Sequence, residues 1–171
     1  MALTKLNYTG QGTVPIASIP TITGAKMPTG SVIQTVEAQS SSTRTDPNTS
    51  FADVSGTSIS ITPSSTSSKI LIMWNCGGMS NGGNNSLSFK VLRGSTVVRY
   101  MPRYGYQNGT DWFPTPIAIQ YLDSPTTTSS VTYKLQCKTE ADADFRINDI
   151  ISGSDDTNTD AMVVIAMEIA G

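Results

Sequence analysis

Apolar residues along this chain recur mostly at every second position, the period of a half-buried β-strand. Residues 57–62 (TSISIT) put Ile59 and Ile61 on one side. Leu87, Phe89 and Val91 alternate in the same way, as do Ile117, Ile119 and Tyr121 within 112–122, and residues 131–138 (VTYKLQCK). Further strands are predicted at 31–38 (SVIQTVEA), 51–54, 97–100, around Phe145 and Ile147, and at 162–169. Residues 69–76 (KILIMWNC) are almost continuously apolar, which predicts a central strand covered on both faces. Between these runs lie turn-forming stretches: 39–50 with Asp46-Pro47-Asn48, 63–68, the Gly/Asn-rich 77–85, and Arg93-Gly94-Ser95.

The pattern gives about eight or nine strands and no segment of helical period between them. Parallel sheets need crossover helices and are excluded. The expected fold is all-β: an antiparallel β-sandwich of jelly-roll type over residues 31–171. Residues 1–30 differ. Pro15, Pro20 and Pro28 alternate with Gly10, Gly12, Gly24 and Gly30, which blocks both helix and central strand. Leu3, Leu6, Val14, Ile16, Ile19 and Ile22 are spaced between them. A solvated linker has no use for such spacing, so an extended N-terminal arm that orders by docking on a partner is expected.

Composition narrows the partners. Of the 171 residues, 37% are hydrophobic and only 14% charged, so Ser, Thr, Asn, Gln and Gly must supply the polar surface. That suits strands and turns and suits helices poorly. The net charge is −2 with no Lys/Arg run, which argues against nucleic acid as a partner. No apolar run approaches the roughly 18 residues of a membrane helix, so no membrane insertion is expected. The first residues, Met1-Ala2-Leu3-Thr4-Lys5-Leu6, lack the apolar core of a signal peptide.

Candidate chemistry is sparse. The chain has no histidine, which removes Ser-His-Asp and Cys-His machinery and the commonest metal ligand. No Gly-x-Ser-x-Gly elbow, phosphate loop or dinucleotide fingerprint occurs. Glu140, Asp142 and Asp144 fall on alternate residues and could serve a glycosidase, but like charges on one strand face are more often a protected edge. Asp156, Asn158 and Asp160 have the rhythm of a calcium loop. Ala161 and Met167 stand where its turn glycine and bidentate glutamate belong, so a polar turn is preferred and no metal or other cofactor is expected. Cys76 and Cys137 lack ligand spacing and read as small buried hydrophobes. No catalytic residue is assigned. The distinctive segment is 99–113 (RYMPRYGYQNGTDWF), which gathers Tyr100, Arg103, Tyr104, Tyr106, Asn108, Trp112 and Phe113. Asn108-Gly109 signals a type I′ turn and thus a protruding hairpin. Its rings suit receptor binding, including a host surface glycan, or an interface, or packing on the sandwich itself.

Residues 26–36 (KMPTGSVIQTV), 50–54 (SFADV), 58–72 (SISITPSSTSSKILI) and 92–96 (LRGST) together resemble a module of virion structural and tail-fibre proteins of tailed bacteriophages. The resemblance covers residues 26–98. It implies a β-sandwich displayed on a virion assembled in the host cytoplasm, a homotrimer, and contacts with other virion proteins of the tail or capsid. Three functions follow as expectations. The first is a non-catalytic tail-fibre-like or receptor-binding surface protein docked through its arm. The second is a capsid decoration protein clamping the lattice. The third and weakest is a polysaccharide depolymerase.

Overall fold

A computed structural model describes residues 27–40, 44–45, 49–80, 85–107, 113–140, 145–147 and 162–171. The arm lies outside the described residues, apart from its last four positions. Eleven strands are formed among the described residues: β1 (Val32–Ser40), β2 (Arg44–Thr45), β3 (Ala52–Asp53), β4 (Ile59–Ile61), β5 (Lys69–Ser80), β6 (Asn85–Arg93), β7 (Thr96–Gln107), β8 (Phe113–Asp123), β9 (Val131–Thr139), β10 (Phe145–Ile147) and β11 (Met162–Ile169). No helix occurs among the described residues.

Every strand pairing is antiparallel, and the strands form two sheets. In sheet A, β11 lies between β1 and β5, and β8 takes the other edge of β5 along its whole length. The short β10 and β2 continue the rows of β11 and β1. In sheet B, β3 and β4 share one edge of β9, followed by β6 and β7. With β3 and β4 taken as one interrupted strand and β2 and β10 set aside, the eight strands run 1-8-3-6 in sheet A and 2-7-4-5 in sheet B. That order is the jelly roll: apart from the β6–β7 hairpin, each connection crosses between sheets.

Alternation explains the core. Ile70, Ile72, Trp74 and Cys76 of β5, Met162, Val164 and Ala166 of β11, and Ile117 and Ile119 of β8 point inward from sheet A. Phe89 and Val91 of β6 and Tyr133, Leu135 and Cys137 of β9 meet them from sheet B. Each Val, Leu, Ile, Met or Phe among them contributes about 1.5–3 kcal/mol by leaving water. Thr57, fully buried, ties the layers together. Its carbonyl accepts the Trp74 indole N–H at 2.9 Å, while its hydroxyl accepts the Leu135 N–H at 3.1 Å and donates to the Val54 carbonyl at 2.7 Å. The preceding turn needs Gly56 at φ +75°, where a Cβ would also collide with Ser40.

Three expectations change. The Gly/Asn loop predicted at 77–85 is shorter, because pairing with β8 on one edge and β10 on the other carries β5 through Gly77 and Gly78 to Ser80. Residues 99–113 do not form a two-stranded hairpin: β7 belongs to sheet B and β8 to sheet A, so the link between them crosses the sandwich. Finally, among the described residues 69–76 is covered on one face only. Leu71 and Met73 point away from the core, and no described strand crosses that outer side.

Candidate functional site

The 99–113 segment is divided by a break in β7. Pro102 has no N–H to give the ladder, and the β6–β7 register slips between Phe89↔Met101 and Leu87↔Tyr104. Arg103 adopts φ 51°, an uncommon conformation for a residue with a Cβ, and its N–H donates to the Ser88 hydroxyl at 3.1 Å. The slip turns Tyr104 inward, where it meets Phe89 edge-on at 5.7 Å. The Tyr104 hydroxyl donates to the Ala118 carbonyl at 3.2 Å and accepts the Ala118 N–H at 3.4 Å. The Arg99 guanidinium donates to the Gln120 carbonyl at 2.7 Å. These backbone groups lie on β8, an edge strand of sheet A, so Tyr104 and Arg99 cap that edge against further strand pairing.

The structure therefore splits the predicted group. Tyr104 serves packing. Tyr100 and Tyr106 point to solvent, 49% and 64% exposed. The Phe113 backbone begins β8 opposite Ser80. Asn108 and Trp112 lie outside the described residues, as do Leu3, Leu6, Val14, Ile16, Ile19 and Ile22 of the arm. Asp142 and Asp144 and the 156–160 stretch do too.

The two outer sheet faces carry what remains. On sheet A, Val163, Ile165, Met167 and Ile169 of β11 alternate outward. Ile165 lies opposite Met73, Met167 opposite Leu71, and Leu71 opposite Leu122, which is 51% exposed. Thr35, Glu37 and Gln39 of β1 and Gln120 of β8 form polar borders. At the end of this face the chain enters beside the last residues: the Gly30 N–H donates to the Ala170 carbonyl and the Ala170 N–H to the Ser31 carbonyl, both at 2.8 Å.

On sheet B, one outward row crosses β3, β9, β6 and β7: Asp53 opposite Gln136, Gln136 opposite Lys90, Lys90 opposite Tyr100. Asp53 accepts from Lys134 at 2.7 Å and from Gln136 at 2.8 Å. The Lys90 ammonium sits 3.9 Å from the centre of the Phe51 ring and that of Lys138 5.6 Å, while Tyr100 meets Phe51 edge-on at 5.9 Å. Ser88 donates to Glu140 at 2.5 Å, and Lys138 lies 3.3 Å from it; the Ser88 bond foremost holds the Glu140 carboxyl below its ordinary value.

Two buried carboxylates are satisfied inside the sandwich. Glu168 is fully buried and accepts from the Ser64 N–H at 2.7 Å, the Ser64 hydroxyl at 2.7 Å, the Ser68 hydroxyl at 2.6 Å and the Gln34 amide at 2.6 Å. Burial pushes its carboxyl up, but those bonds outweigh it and hold it below the ordinary glutamate value. Asp123 accepts from Arg93 at 2.8 Å and from the Tyr133 hydroxyl at 2.7 Å; burial, then that bond, pushes the Tyr133 hydroxyl up. Cys76 and Cys137 are both buried without a disulfide, and burial pushes the Cys76 thiol up to about 12, far from nucleophile range. Among the described residues no group of three or more Cys, Asp or Glu is placed to hold a metal ion.

No family model matches the chain, and no curated protein does. Among solved structures it is similar to dimeric latent PorU from Porphyromonas gingivalis, at 8% identity and a TM-score of 0.39. The match covers 87% of this chain and 14% of that one, and it carries no argument about fold or function.

Reading the sequence missed Phe51, Lys90 and Gln136 as a cluster, because register across β3, β9, β6 and β7 brings them together. It also missed Glu168. Alternation along 162–169 held the signal, since Glu168 shares parity with the inward Met162, Val164 and Ala166.

Proposed function

We propose that this chain is a non-catalytic structural protein of a bacteriophage particle, a tail-fibre-like or receptor-binding surface protein that docks through its N-terminal arm and assembles as a homotrimer. The observation that supports this reading is the outer face of sheet A. Leu71, Met73, Leu122, Val163, Ile165 and Met167 form one apolar field bordered by Thr35, Glu37 and Gln120. An apolar centre with a polar border is the anatomy of a protein interface. Met27, the first described residue, lines a small cleft with Ile33, Ser65, Ser67, Ser68 and Ala170 at the end of that sheet. The resemblance of residues 26–98 to phage virion modules supplies the setting, and the jelly roll is an architecture that capsid and lectin domains use.

Mass spectrometry of gradient-purified particles from a host expressing the phage genome tests the reading. The protein is expected in the particle at a copy number divisible by three. Its absence from purified particles would overturn the proposal. Copies distributed over the whole capsid would replace the fibre role with lattice decoration.

A further inference from the structure

The geometry points to the outer face of sheet B as a binding site for an acidic oligosaccharide, centred on the row Asp53–Gln136–Lys90–Tyr100 with Phe51 and Lys138 beside it. This deepens the proposed surface role by naming a ligand class, and it assigns the site mostly to residues outside the 99–113 segment.

Four observations carry it. Tyr100 is half exposed while it packs T-shaped with Phe51, and an exposed aromatic ring is the kind of surface that packs on the C–H face of a pyranose. Two ammonium groups, those of Lys90 and Lys138, lie within 6 Å of the Phe51 ring centre. Among the described residues no carboxylate pairs with Lys90, whereas Lys138 has Glu140 and Lys134 has Asp53. The Lys90 ammonium sits over the Phe51 ring, and it is assigned the ligand's anion. Next to it the Gln136 amide and the Asp53 carboxylate form a hydrogen-bonded pair at 2.8 Å, a combination of donor and acceptor that matches vicinal hydroxyls.

The shape of the face selects the size of the ligand. Four neighbouring strands span about 14 Å, more than one sugar ring, and the row lies on an open sheet. Such a surface suits a chain laid across the strands. The charge selects its density. Asp53 and Glu140 interrupt the cations, and the whole protein carries −2, so a polyanion charged at every unit is repelled. A saccharide with a carboxylate on alternate rings puts one anion on Lys90 and a neutral ring on Tyr100.

Titration of the isotope-labelled intact chain with hyaluronan hexasaccharide, followed by amide chemical shifts, tests this directly. Shifts are expected at Lys90, Tyr100 and Gln136 and none on β11. Lys90→Gln and Tyr100→Ala are each expected to weaken binding about tenfold, since each removes one principal contact. Uncharged chitohexaose is expected to bind about tenfold more weakly than the acidic sugar. Unshifted amides on β6, β7 and β9, unchanged affinity in both variants, or equal binding of chitohexaose would overturn the proposal. Stronger binding of a thymidine octanucleotide would assign the face to nucleic acid and overturn it as well. The shift map of the unaltered chain decides the matter even if a variant folds poorly. Because the assay uses isolated protein, its failure is distinguishable from absence of the protein from particles.

Discussion

The two sheets share one core but present opposite outer faces. β11 in sheet A is apolar on both sides, with Met162, Val164 and Ala166 inward and Val163, Ile165 and Met167 outward. β9 in sheet B is apolar only inward, through Tyr133, Leu135 and Cys137, and sets Lys134, Gln136 and Lys138 outside. Both strands occupy interior places in their sheets, so position does not explain the contrast. A sandwich needs only its inner faces to fold. The apolar outer face of sheet A is what the proposed docking role rests on, whereas an outer face of cations, amide and aromatic ring suits water.

The sharpest way to test this division is to separate what holds β11 from inside from what it offers outside. Glu168→Ala leaves the Ser64 N–H, two serine hydroxyls and the Gln34 amide without their buried acceptor. A loss of about 3–5 kcal/mol in urea denaturation is expected. The same group sets a pH dependence. Its folded value is depressed, so its contribution is present above the ordinary glutamate value near 4.5 and is lost as the pH falls through the depressed value. Thermal melts should fall with acidification across that window, and Glu168→Gln should flatten this part of the curve.

Leu122→Asp probes the outside. The side chain is half exposed, so the isolated fold should tolerate the change, while a carboxylate buried at an interface should weaken assembly about a hundredfold, roughly 3 kcal/mol. Sedimentation velocity reads this as a shift from trimer to monomer. An unchanged trimer would move the interface off this face. Tyr104→Phe tests the edge between the sheets. Losing its hydroxyl at Ala118 should cost about 1 kcal/mol in the same urea assay, with ring packing on Phe89 intact. The smallest effect is expected on the wet face. Lys134→Ala breaks an ion pair whose partners are 30% and 54% exposed, and should change stability by less than about 0.5 kcal/mol.

Much of the fold was legible because inward positions repeat every second residue and turns are marked by Gly, Pro and Asn. The jelly roll followed from strands without helices. What was not legible depends on pairing. Gly77 and Gly78 read as loop, yet neighbours on both edges keep them in β5. Residues 69–76 read as doubly covered, whereas the described strands cover one side, and the other side is the proposed docking surface. The aromatic segment attracted attention by composition, but Pro102 and the register slip it accompanies sent Tyr104 inward and left Tyr100 outside. The Phe51–Lys90–Tyr100 cluster joins the β6–β7 hairpin to a residue far earlier in the chain, and no local pattern brings Phe51 to it.

In the proposed arrangement the outer face of sheet A meets the assembly and that of sheet B meets solvent. Electron cryo-microscopy of intact particles at side-chain detail tests it most directly. Protein density from a neighbouring subunit is expected against Leu122, Ile165 and Met167, with the Lys90–Tyr100 row open to solvent. Particles in which the outer face of sheet A is bare and the sheet B row is buried against a neighbour would contradict it.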